Sequence, residues 1–487
     1  MPNNETMLQY FEWYLPADSS LWNRAAKDAP HLGRLGFSHI WLPPAYKGSQ
    51  GQNDVGYGVY DLYDLGEFDQ KNSIPVKYGT KEEYIEAIKN LKLNNIKVIA
   101  DIVFNHKLGA DESEEVFALK SDPNDRNITI GEPQKITAWT KYNFPGRNNT
   151  YSDFKWNWTH FQGVDWDAST STSAIYKFYG KDWDQSVDTE NGNFDYLMGA
   201  DIDLNNLHVI KELNTWGKWY LDTTNIDGFR LDAVKHIRSD FFPGWISGLE
   251  EYSDKKLFTV GEYWSLDLEK LEHYLENTNY TLSLFDVPLH YNFYLASISN
   301  GNFDMGGIFN NTLVKSHPNN AVTFVDNHDT QIGQALESWI LDWFKPLAYS
   351  LILLRNDTGI PCVFYGDYYG IPEKNADSKS NILDILLKVR KYFAYGETHD
   401  YFDHRNIIGW TMEGDYEHPD SGLAVVMSDK DGGCKMMNVG KHLANTLLYD
   451  CTGILSETVY VDNEGNGIFY CNPGSVSVWI KQGQSVN

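Results

Sequence analysis

Short runs of β-branched and aromatic residues recur along this chain with helix-like segments between them, and that alternation constrains the fold more than any other feature. The runs fall at 7–12, 38–42, 97–104, 227–231, 257–260, 281–285, 321–325 and 361–365, eight in all. Helix-like stretches at 81–93, 207–222 and 341–355 separate several of them. A helix between two strands returns the chain to the same end of the sheet, so the strands pair in parallel. Eight such strands close into a (β/α)8 TIM barrel, an α/β fold.

Two regions break the alternation. Residues 106–206 are rich in Trp, Asn, Asp and Gly without a clear period. They are too many for a loop and predict a domain inserted after the third strand. Beyond 395 the chain turns to short alternating runs at 406–411, 422–427, 458–461 and 475–480. These predict a C-terminal antiparallel β-sandwich. The expected organisation is a barrel of 1–105 and 207–395, an inserted domain of 106–206 and a β domain of 396–487.

Charge narrows the partners. Lys plus Arg number 40 and Asp plus Glu 67, a formal net charge of −27. Such a surface repels phosphate backbones and anionic lipid, which argues against nucleic acid and membrane and leaves neutral molecules and cations. No apolar run approaches the ~18 residues of a membrane span. Met1-Pro2-Asn3-Asn4-Glu5 has neither a basic start nor an apolar core. That start suits a cytoplasmic protein, or a secreted one whose leader has been removed. Cys362, Cys434, Cys451 and Cys471 lack CxxC spacing, and free thiols in a reducing compartment explain them more simply than bridges.

A barrel of this kind does its chemistry at the C-terminal ends of its strands. There the third run reads Asp101-Ile-Val-Phe-Asn105-His106 and the fourth Gly228-Phe-Arg230-Leu-Asp232-Ala-Val-Lys235-His236. The fifth ends in Gly261-Glu262 and the seventh in Asp326-Asn327-His328-Asp329. Arg230 and Asp232 alternate with apolar neighbours and share one side of the strand. Buried carboxylates are costly, so Asp232, Glu262 and Asp329 at neighbouring strand ends call for a chemical reason. Paired carboxyls facing a neutral substrate suit glycoside hydrolysis.

DIVFNH, GFRLDAVKH, GEYW and FVDNHD resemble, in order, the four characteristic regions of the α-amylase family, glycoside hydrolase family 13. LQYFEWY, WLPPAYKG, GYGVYDLYDLGEF, FPGR, YSDFKW, FDVPLHY and VFYGD extend the similarity to the bacterial liquefying and intracellular enzymes over nearly the whole chain. The resemblance implies Asp232 as nucleophile, Glu262 as general acid and base, and Asp329 as stabiliser of the distorted sugar. Arg230 would hold Asp232 ionised. His106, His328 and Tyr57 would contact the sugar at the scissile bond, and Lys235, His236 and Trp264 the leaving-group side. Glu262 is expected to be raised in pKa by Asp232 and Asp329. The retaining mechanism sets the Asp232 and Glu262 carboxyls about 5–5.5 Å apart.

The same resemblance implies one firm calcium site on Asn105, Asp195, Asp201 and the His236 carbonyl, joining barrel and inserted domain. A neighbouring site would use Asp184 and Asp203. Gln162 and Asn205 stand where carboxylates are usual, so a second calcium is expected to be weak, replaced by sodium or absent. The expected substrate is an α-1,4-glucan and the expected assembly a monomer. Maltooligosaccharide-forming, transglycosylating or debranching relatives share the three acids and remain alternatives. A non-catalytic glucan-binding barrel would be free to lose those acids, and a phosphate hydrolase would need a Gly-rich phosphate loop that is missing.

Overall fold

All eight apolar runs form strands: β1 (Met7–Gln9), β2 (His39–Leu42), β3 (Lys97–Ile102), β4 (Gly228–Leu231), β5 (Phe258–Gly261), β6 (Ser283–Phe285), β7 (Ala321–Phe324) and β8 (Ile360–Phe364). The computed structural model describes residues 4–484 and 486, so residues 1–3, read above for a leader, lie outside the described residues. Each strand pairs in parallel with its sequence neighbours and β8 returns to β1, which closes the barrel. The strands are short and almost wholly buried, as expected where helices cover one face and the barrel core the other. Close packing explains Gly228: a Cβ there would stand 1.9 Å from the Phe258 carbonyl oxygen. Register sets Arg230 of β4 level with Asp101 of β3 and Val260 of β5.

Local signals fix the helix ends. Helix Lys81–Leu93 starts on a capping box, with Thr80 Oγ1 accepting from Glu83 N and Glu83 Oε2 accepting from Thr80 N. The helix read at 341–355 occupies only Lys345–Leu353. Pro346 sits in its first turn, where a missing N–H costs nothing, and so marks the start.

The inserted segment contributes a six-stranded sheet of His106–Lys107, Glu112–Ser121, Thr129–Lys141, Phe161–Asp167, Thr172–Phe178 and Ala200–Ile202. Its first and last strands pair with each other, Asp201 opposite His106. The segment thus leaves and re-enters the barrel at one place, above the end of β3. Sequence periodicity missed these strands because much of Thr129–Lys141 is exposed on both faces.

At the C-terminus a six-stranded sheet faces the pair Gly433–Asn438 and Asn466–Cys471. Ala424, Val426, Met437, Phe469 and Trp479 fill the space between them, which makes the antiparallel sandwich. All four cysteines are free thiols. Among the described residues no helix is long and apolar enough to cross a membrane.

Candidate active site

Strand ends bring the expected acids around one cation. Arg230 is buried, its Nη1 lying 3.0 Å from Asp101 Oδ1 and 2.6 Å from Asp232 Oδ1, its Nη2 2.5 Å from Glu262 Oε2. Trp41 and Tyr57 flank the guanidinium, ring centroids 4.9 and 5.8 Å away. β4 ends at Leu231, and Ala233 turns into the left-handed region (φ 50°), which lets Asp232 fold back onto Arg230.

One positive charge cannot hold four neighbouring carboxyls ionised. Glu262 is accordingly pushed up to about 8, first by burial and then by Asp232 and Asp329, with Arg230 opposing. The direction is the expected one, but the largest cause is loss of water rather than the two acids. Asp329 is raised to about 7 by burial, Asp232 and Asp101, although a quarter of its side chain still meets solvent. Asp101 is raised to about 6, mainly by burial.

Aromatic and imidazole rings line the same mouth. Tyr57 lies nearly parallel to His328 (7°, centroids 5.1 Å) and its hydroxyl donates to Asp101 Oδ2 at 2.9 Å. His328 Nε2 stands 3.5 Å from Asp329 Oδ2. His106 donates through Nε2 to the Tyr57 carbonyl at 2.9 Å, so that nitrogen is already engaged. Burial lowers the pKa of both imidazoles and keeps them neutral. Lys235 lies further out, donating to Glu190 Oε2 at 3.0 Å and to the Trp264 carbonyl at 3.2 Å. The His236 ring turns away toward the inserted segment: Nδ1 donates to the Phe194 carbonyl at 2.6 Å, and burial pushes its pKa down to about 3.

Three participants were given no role from the sequence. Asp101 shares Arg230 and also accepts from Trp41 Nε1 at 2.9 Å. Trp13 lies nearly parallel to Tyr57 (4°) and His328 (8°). Gln9 contacts His328 Nδ1 at 3.0 Å. Gln9 and Asp101 lie at or near the C-terminal ends of their strands, and a polar residue inside an apolar run was the available signal.

A second acidic cluster joins the barrel to the inserted segment. Asp184, Asp195, Asp201 and Asp203 are all buried. Burial and mutual repulsion raise Asp195 and Asp201 well above the usual carboxylate range. Asp201 Oδ2 and Gln162 Oε1 are buried without a hydrogen-bond partner. Among the described residues no three His, Cys, Asp or Glu side chains converge as a complete metal cage. A cation here would therefore draw on amide and backbone oxygens as well, and unpartnered oxygens beside repelling acids fit such an ion. The adjoining atoms differ. Asp184 Oδ1 accepts from Asn205 Nδ2 at 2.5 Å and from Gln162 Nε2 at 3.3 Å, while Lys181 Nζ meets Asp203 Oδ2 at 2.5 Å.

Comparison with known proteins places the chain in a family. Residues 27–415 match the model for the α-amylase catalytic domain and 423–480 that for the α-amylase C-terminal domain. This chain belongs to the α-amylase family. It is 57% identical over 488 residues to an α-amylase of Geobacillus stearothermophilus, covering 100% of this chain and 88% of that protein. It is 44% identical to the cytoplasmic α-amylase of Escherichia coli (strain K12), covering 98% and 99%. The fold is shared with an α-amylase of Geobacillus thermoleovorans crystallised with acarbose, with a TM-score of 0.64 at 18% identity and 99% coverage of both chains. As a member of the α-amylase family the protein is a glycoside hydrolase acting on α-glucans.

Proposed function

We propose that this protein cuts internal α-1,4-glucosidic bonds of starch, glycogen or maltooligosaccharides with retention of anomeric configuration. The observation that carries this reading is the single buried guanidinium joining Asp232 and Glu262, with Glu262 raised to about 8. Two carboxyls on neighbouring nitrogens of one Arg stand close together, in keeping with the shorter spacing of a retaining pair. Asp232 attacks the anomeric carbon while Glu262 gives its proton to the departing glycosidic oxygen, leaving a glucosyl ester on Asp232. Glu262 then takes a proton from the water that hydrolyses this ester. Asp329 bonds the distorted sugar and balances its positive charge. Arg230 pairs with Asp232 and orients it, Tyr57 stacks on the ring, and His328 bonds its hydroxyls; His106 reaches them only by giving up its bond to the Tyr57 carbonyl. Lys235 and Trp264 belong to the leaving-group side; His236, expected there too, turns its ring to the Phe194 carbonyl instead.

Calcium is proposed on Asn105, Asp195, Asp201 and the His236 carbonyl. It would supply the positive charge the buried acids lack and tie the inserted segment to the barrel. The neighbouring atoms, already covered by amide and ammonium donors, hold at most a weak sodium or second calcium. The reading includes a monomer, and a cytoplasmic place is supported by the full-length likeness to the E. coli enzyme so named. Light scattering and cell fractionation check these two points.

Amylose digestion followed by product sizing and NMR tests the main claim, with Asp232→Asn as control. Mixed oligosaccharides released early as the α-anomer, and lost in the variant, support it. A 53% identical relative is named glucan 1,4-α-maltohexaosidase, so one dominant short product would replace the internal-cutting reading. Release of the β-anomer would overturn retention.

A further inference from the structure

The end of β1 reaches the acid-bearing loop after β7 in two places. Gln9, the last residue of β1, is buried and its Nε2 lies 3.0 Å from His328 Nδ1. A few residues on, Gln331 Oε1 accepts from Trp13 N at 3.1 Å and Gln331 Nε2 donates to Glu12 Oε2 at 3.1 Å. Asn327 Oδ1 closes the loop itself, accepting from Asp329 N at 2.8 Å and Thr330 N at 2.9 Å.

We infer that Gln9 is a positioning residue that fixes His328 as the Nε2–H tautomer, aiming its one proton toward Asp329 and the substrate rather than into the barrel. Packing surrounds the ring. It is buried beside the near-parallel Tyr57 and Trp13 rings, with Trp41 packed against it nearly at right angles. Its neutral form, favoured by burial and by Arg230, carries a single proton for two nitrogens. With that proton on Nε2, the Gln9 amide donates to Nδ1 and Nε2–H faces the Asp329 carboxyl. With it on Nδ1, Gln9 would have to present its carbonyl instead, and a bare Nε2 lone pair would face Asp329 Oδ2. The Gln9 amide nitrogen at 3.0 Å from Nδ1 selects the first arrangement, because an amide N–H needs an acceptor there. Gln9 lies behind the ring, so it acts through His328 and not on substrate.

The part of this inference that concerns turnover rests on the glucan-hydrolase reading, but the tautomer does not. Its test is ¹⁵N-histidine NMR of the full chain, with His328→Asn identifying the resonance, alongside Gln9→Met and Gln9→Glu. Wild type should show Nδ1 as the bare nitrogen and Nε2 as the protonated one. Gln9→Glu, whose carboxylate only accepts, should move the proton to Nδ1. Both variants should lose kcat about ten- to a hundredfold with little change in KM, because a misdirected donor is felt most when charge develops. A wild-type His328 protonated on Nδ1 would overturn the inference. So would unchanged kcat and an unchanged tautomer in Gln9→Met. If Gln9→Met fails to fold, the wild-type spectrum and Gln9→Glu still decide. A wild type inert on amylose, with the tautomer as inferred, would sink the internal-cutting reading and leave the tautomer standing.

Discussion

Arg230 Nη2 lies 2.5 Å from Glu262 Oε2, so the residue proposed to give a proton is paired with a permanent cation. The pairing favours ionised Glu262, and burial outweighs it, leaving the carboxyl at about 8. The proposed acid role needs the protonated form. Turnover should therefore hold through neutral pH and fall as pH rises through about 8, as Glu262 ionises. Glu262→Gln should abolish turnover of amylose. The check is kcat/KM against pH, and an alkaline limb near the ordinary carboxylate value of about 4.3 would contradict the assignment.

Removing Arg230 should cost both activity and stability. Arg230→Gln leaves Asp101, Asp232 and Glu262 buried without their shared cation. Breaking one side of a buried ion pair costs about 3–5 kcal/mol. Asp232 also loses the partner that orients its carboxylate, and kcat should drop at least about a hundredfold. Urea unfolding and steady-state kinetics measure the two effects. Arg230→Lys should recover only part of either, since one ammonium cannot offer two adjacent nitrogens in a fixed plane.

How much of this was legible in the sequence differs by region. All eight barrel strands were readable because burial on both faces makes them continuous apolar runs. Arg230, Asp232, Glu262 and Asp329 were readable because charge interrupts such runs only where something holds it. The inserted strands were not, since the first half of Thr129–Lys141 is exposed on both faces and only Ile136, Ala138 and Thr140 alternate inward. Gln9 was passed over for a different reason. A neutral amide at a strand end carries no charge cost, and its partner His328 lies 319 residues away in the chain. The donors on Asp184 and Asp203 likewise come from pairings that no local pattern reports.

Calcium removal should leave a pH signature. In the metal-free protein Asp195 and Asp201 have folded-state pKa values well above those of the unfolded chain. The fold then favours their protonated forms. That contribution is fully present below the unfolded value of about 4 and lost as pH rises through the folded values. With calcium bound the same acids are held ionised, and the sign reverses. Melting temperatures in chelator should fall as pH rises from about 4 toward neutrality, and those in excess calcium should not. Superimposable curves, with no calcium retained by the purified protein, would remove the ion from the proposal.

The neighbouring site offers the converse experiment. Gln162 and Asn205 present amide hydrogens to Asp184 Oδ1, and Lys181 pairs with Asp203 Oδ2, so protein donors already occupy two of the carboxylate oxygens a second cation would need. Gln162→Asp with Asn205→Asp replaces two donors by two carboxylates beside Asp184. Without metal, four crowded acids should lower the melting temperature below that of wild type. With calcium the loss should be reversed, because each added carboxylate both ligates the ion and brings a negative charge. Titration calorimetry should then register one more bound calcium per chain than in wild type. An unchanged stoichiometry, with the lower melting temperature not restored by calcium, would mean that Lys181 still excludes the ion. Adding Lys181→Met should in that case restore binding, since it removes the competing charge while keeping the side-chain length.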